Sequence, residues 1–167
     1  MLIVLGGLPG VGKTAIASEL ARLLGAVHVR IDSIELAIRE SGVTVVSLDD
    51  AGYRVGYAVA EDNLRHGHVV IADSVNPMPF TRDAWLHVAD RAKVPTVEVE
   101  VVCSDEREHR RRVDQRLGET PAPGGPTWEE VVTRDYRAWD RQHIVIDTAD
   151  RTAAQCAAVL RAALPIH

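Results

Sequence analysis

Residues Gly7-Leu8-Pro9-Gly10-Val11-Gly12-Lys13-Thr14 match the pattern G-x-x-x-x-G-K-[ST] without a break, and they follow the apolar run Leu2-Ile3-Val4-Leu5. The chemistry open to such a stretch is the capture of phosphate. Its three glycines let the backbone aim N–H groups at an anion with no Cβ in the way. Lys13 can reach the terminal phosphates of a nucleoside triphosphate, and the Thr14 hydroxyl can ligate Mg²⁺. Contacts to the nucleotide are therefore expected from Gly7, Leu8, Pro9, Gly10, Val11, Gly12, Lys13, Thr14 and Ala15.

Carboxylates and guanidinium groups supply the rest of a candidate constellation. Asp73 closes the run Val69-Val70-Ile71-Ala72, where a carboxylate beside the loop could help hold Mg²⁺. A turn residue ahead of Pro77 and Pro79 is the competing reading. Asp32 could orient a hydroxyl acceptor and take its proton. The order Asp32-Ser33-Ile34-Glu35 also has the shape of a helix capping box. Five arginines fall between Arg107 and Arg116. Arg112 and Arg116 share a helical face just before a Pro/Gly-rich stretch, Leu117 to Pro126, from which they could close over ATP. Ion pairs with Glu106, Glu108 and Asp114 would instead make the run a solvated face. Asp147, Thr148 and Ala149 could pack against adenine, although Asp150 or Thr152 could equally cap the final helix. Tyr53 and Tyr57, four apart, could line an acceptor pocket or pack in the core, and Asn76 and Arg82 are further pocket candidates. Trp85, Trp128 and Trp139 fall in helical patterns and are expected in the core.

Positioning these groups requires strands that end together. β-branched runs at Leu2–Leu5, Val27–Ile31, Val69–Ala72, Thr96–Val102 and Ile144–Ile146 read as strands. Ile16, Leu20, Leu23 and Leu24 mark a helix after the loop. Further amphipathic stretches run from about 33 to 40, 51 to 65, 81 to 91, 105 to 116, 127 to 138 and 152 to 164. Such alternation predicts right-handed crossovers and a mostly parallel sheet covered on both faces, with ligands at the carboxyl ends of its strands. Asp32, Asp73, Asp105 and Asp147 all stand at that edge.

Composition bounds the function. The 167 residues suit a single domain, and 46% apolar with 26% charged residues is ordinary for a globular protein. A net charge of −5 argues against a protein that grips nucleic acid by excess positive charge. Cys103 and Cys156 make no metal or redox motif, and reduced thiols are expected. The N-terminal apolar run is too short for a leader or a membrane span, which points to the cytoplasm.

Taken together, the chain resembles the small P-loop kinases grouped with AAA-family ATPases: zeta toxin, chloramphenicol phosphotransferase, gluconate kinase and adenylylsulfate kinase. The resemblance rests on Gly7–Thr14, on Arg30-Ile31-Asp32-Ser33, and on Gly56–Leu64 leading into Gly67–Asp73. Arg111-Arg112-Val113-Asp114-Gln115-Arg116 completes it. It implies an α/β, three-layer P-loop NTPase fold, nucleoside-kinase-like, with a five-stranded parallel sheet in the order 2-3-1-4-5 and a short lid at about 117–126. It further implies transfer of the γ-phosphate of ATP, with Mg²⁺, to a small-molecule hydroxyl that the resemblance does not specify. A polynucleotide 5′-hydroxyl kinase and a nucleotide-controlled ATPase switch are the alternatives.

Overall fold

The structure, a computed structural model, describes residues 1–44, 46–119 and 125–165. Five strands, β1 (Leu2–Gly6), β2 (Val27–Arg30), β3 (Val70–Asp73), β4 (Thr96–Val102) and β5 (Ile144–Asp147), form one parallel sheet in the order β2-β3-β1-β4-β5. This is the order the resemblance implied. Helices α1 (Lys13–Leu24) and α7 (Ala153–Ala163) cover one face; α3 (Leu48–Arg65) and α4 (Pro79–Ala92) cover the other.

The period-2 alternation of β1 divides the core between those faces. Ile3 and Leu5 pack with Ile16, Leu20, Val99, Val101, Ile146 and Leu160, while Leu2 and Val4 pack with Val29, Ala60, Leu64, Trp85 and Val88. A strand buried on both sides must read as continuously apolar, and β1 does. Register then brings the strand ends level: Leu5 lies beside Asp73, and Asp73 beside Arg30. Residues 2 to 6 thus deliver the loop next to the end of β3.

Two expectations are corrected. Strand β2 stops at Arg30, and buried Ile31 opens helix α2 (Ile31–Glu40). Asp32 therefore lies inside the first helical turn, and no side chain caps that helix. The stretch expected as a helix over 127–138 is helical only in α6 (Trp128–Val132), after a capping box of Thr127 and Glu130. Beyond it, backbone groups find partners outside any helix. Arg137 N donates to Pro77 O at 2.9 Å, and Arg82 donates to the carbonyls of Arg137 and Ala138. Trp139 consequently sits in an irregular segment, against Gly6 and the Arg82 guanidinium. Helix α5 (Glu106–Glu119) extends through the first residues of the lid expected at about 117–126, and residues 120–124 of that lid lie outside the described residues.

Candidate active site

Gly7, Gly10 and Gly12 adopt φ of 140°, 85° and 102°, the left-handed range that favours glycine. A Cβ at Gly10 would stand 2.5 Å from Val113 Cγ2, so the outer turn of the loop is pressed onto α5. The first-turn N–H groups of α1 have no intrahelical acceptor and, with the positive end of the helix dipole, make an anion site.

Lys13 is buried, its ammonium donating to Gly7 O at 2.8 Å and Leu8 O at 2.9 Å. Burial lowers its pKa to about 8; Asp73 and Asp32 work against that shift, and Arg116 and Arg134 add to it. Four charged groups from four segments thus act on Lys13. Asp73 is 3% exposed and accepts from His28 Nε2 at 3.1 Å. Burial alone would raise the Asp73 carboxyl; His28, Lys13 and the Thr14 hydroxyl outweigh it and hold the group below the usual carboxylate range. Asp73 and Thr14 are therefore adjacent hard oxygen donors, one of them ionised. That donor set fits Mg²⁺ beside a phosphate.

Asp32 faces the same mouth. Its Oδ2 accepts from Arg30 Nη2 at 3.4 Å and from Arg116 Nη2 at 3.5 Å. The capping-box reading fails because helix α2 has already begun. The Tyr53 hydroxyl accepts from Asn76 N at 3.3 Å; burial raises its phenol pKa first of all, and the negative charges of Glu35 and Asp32 raise it further.

The arginine run divides by face. Arg110 and Arg111 point outward to Asp114 and Glu108. Arg112 is half-buried and fixed on three sides: Nε to Glu108 Oε1 at 2.8 Å, Nη1 to Thr148 Oγ1 at 2.8 Å, Nη2 to Thr148 O at 2.9 Å. It belongs to the wall of the loop near Gly12, not to a moving lid. Thr148 in turn donates to Val11 O at 2.8 Å. Asp147 serves the turn, its Oδ1 accepting from Ser104 N at 3.0 Å and Ala149 N at 3.1 Å. Thr152, rather than Asp150, caps α7.

Asn76 and Arg82 do not line a pocket. Both are fully buried. Asn76, at φ 49°, donates to Leu5 O at 2.8 Å and accepts from Trp85 Nε1 at 3.1 Å. Arg82 gives its donors to the carbonyls of Asn76, Pro77, Arg137 and Ala138, with Trp139 stacked 4.4 Å away. They brace the chain behind the phosphate loop. Tyr57 packs edge-on against Trp85 at 4.6 Å, a core contact.

Three residues at the site escaped the sequence reading. His28 reaches Asp73 only because of the β2–β3 register. Arg134 follows α6 and lines an open cleft of about 500 Å³ with Gly125, Pro126 and Glu130. His109, on α5, contacts the loop itself.

Comparison with known proteins agrees with this fold. A "Probable adenylyl-sulfate kinase" of Aeropyrum pernix is 28% identical, over 91% of this chain and 85% of that protein. The APS kinase of Mycobacterium tuberculosis, solved with AMPPNP and APS, superposes with a TM-score of 0.72 at 19% identity, covering 96% of this chain and 95% of that one. Chaetomium thermophilum Kti12, solved with ADP-AlF3, gives 0.73 at 21% identity, covering 99% and 100%. The family model described as "AAA domain" matches residues 2–131. That match takes in most of the chain, including the phosphate loop, Asp32, Asp73 and Arg116, and this protein belongs to the AAA-domain family.

Proposed function

We propose that the protein is an ATP- and Mg²⁺-dependent phosphotransferase that moves the γ-phosphate to a hydroxyl of a small molecule. The meeting of Arg116 with Asp32 at 3.5 Å, at the mouth of a loop whose strand lies beside Asp73, carries this reading. Phosphoryl transfer asks little covalent chemistry of a protein; it asks for alignment and for cancellation of charge.

Loop amides and Lys13 hold the phosphates, and the wall made by Arg112, Thr148 and Ala149 faces the base. Thr14 and Asp73 would hold Mg²⁺, which supplies neutralisation of the phosphate oxygens when bound. Asp32 accepts the hydrogen bond of the acceptor hydroxyl. As the new O–P bond forms and the bond from the γ-phosphorus to the β,γ-bridging oxygen breaks, Asp32 takes the proton. Arg116 turns from Asp32 to the transferring group. Tyr53, near Asp32 and Glu35, lines the acceptor side.

The names of the similar proteins favour a kinase and make adenylyl sulfate one acceptor to try. The net charge of −5 disfavours a polynucleotide acceptor. The test is incubation of γ-labelled ATP with a low-molecular-weight cell extract. The reading expects label in an organic phosphate, with none made by the Lys13→Ala protein. Label released only as inorganic phosphate would favour a nucleotide-controlled ATPase.

A further inference from the structure

Five carbonyls of the phosphate loop are tied back. Gly7 O and Leu8 O accept from Lys13, Val11 O from Thr148, and Gly12 O from Ile16 N. Pro9 O, at the outer turn, accepts from His109 Nε2 at 2.8 Å. A peptide whose carbonyl is held on one side keeps the plane of its neighbours fixed, and with it the direction of the N–H groups that must meet phosphate.

His109 is suited to that hold. It is 6% exposed, on the long helix α5, and its ring meets Trp128 of α6 edge-on with centroids 5.1 Å apart. Its Cδ2 and Nε2 would lie 3.3 and 3.4 Å from a Cβ at Gly10, so the ring touches the outer turn as well as bonding to it. A carbonyl only accepts, hence Nε2 carries the hydrogen.

We propose that His109 is a positioning residue for the nucleotide: its bond to Pro9 O presets the outer turn of the phosphate loop before ATP arrives. This rests on the loop's binding ATP. Without the bond, the turn must be ordered by the ligand at the expense of affinity. The histidine thereby makes α5 and α6, the two helices flanking residues 120–124, part of the loop's support.

The test compares H109F and H109Q in the full chain, reading the ATP dissociation constant and the thermal midpoint. Phe keeps the ring packing and removes the donor; Gln can restore a donor at the Nε2 position. Expected is a loss of about fivefold in ATP affinity for H109F, what one neutral hydrogen bond is worth, with H109Q within about twofold of the parent. Equal affinity in H109F and the parent would overturn the proposal, as would equal loss in both variants, which would assign the effect to packing. In the unsubstituted protein, ¹⁵N resonances of the ring must show hydrogen on Nε2; a neutral ring carrying it only on Nδ1 would overturn the proposal without any variant. A parent that does not bind ATP removes the nucleotide reading itself, and the role of His109 with it.

Discussion

Arg116 Nη2 donates to Asp32 Oδ2 at 3.5 Å, joining α5 to α2 across the mouth of the phosphate loop. Both side chains are nearly half exposed, so the pair itself is worth little, and phosphate oxygens compete well for the guanidinium. An arriving triphosphate can draw Arg116 away and release the carboxylate for an acceptor. Asp32→Asn should leave ATP affinity within about twofold and lower phosphoryl transfer by about 10²- to 10⁴-fold, the usual worth of a general base. Binding titration beside single-turnover kinetics separates the two; a variant that still turns over normally takes Asp32 out of the chemistry.

Lys13 predicts a pH effect on nucleotide binding. Its pKa of about 8 lies below the ordinary 10.5, so between those values the native chain binds fewer protons than the unfolded one. This group's contribution to stability therefore rises with pH across that window. Phosphates favour the charged ammonium. ATP binding should accordingly take up protons just above pH 8 and weaken as pH climbs further. Calorimetry in two buffers of different ionisation enthalpy reads the uptake. Lys13→Ala should abolish it and weaken ATP by about 10- to 100-fold, the worth of a charge-assisted bond.

Asp73 bears on the metal. Asn at this position can still accept from His28 and Thr14, so the fold should hold while the hard anionic donor is lost. The Mg²⁺ concentration for half-maximal activity should rise about 10- to 100-fold, and the thermal midpoint should fall, because His28, Lys13 and Thr14 favour the ionised Asp73 carboxylate in the folded chain. An unchanged Mg²⁺ requirement would place the ion elsewhere.

Arg82 is expected to matter for folding alone. Arg82→Ala would leave the carbonyls of Asn76, Pro77, Arg137 and Ala138 without their donor in a buried place. A loss of about 3 to 5 kcal/mol in denaturant unfolding is expected. A stable Arg82→Ala protein with an altered KM for the acceptor would return this residue to the pocket.

The contrast among these residues shows what could be read from the chain. Lys13, Thr14 and the strand β1 were legible because motif, strand and helix are contiguous. Helix α1 carries its own apolar stripe, and β4 runs over Thr96–Val102 as its β-branched run predicts. Asp73 could be placed because it ends an apolar run. Non-local geometry was not legible. The 127–138 pattern has helical spacing, yet Arg82, more than 50 residues away, claims its carbonyls. Asn76 and Arg82 look like polar pocket residues until their partners prove to be buried backbone. His28 and His109 gain their roles from strand register and helix packing, which no local spacing records.

The most direct test of the account is a structure of the protein with Mg²⁺ and a non-hydrolysable ATP analogue. It should show the triphosphate cradled by residues 7 to 14, the metal beside Thr14 and Asp73, and Arg116 turned from Asp32 onto the terminal phosphate. A nucleotide seated elsewhere, or one that leaves Asp32 and Arg116 paired and remote from its γ-phosphate, would contradict it.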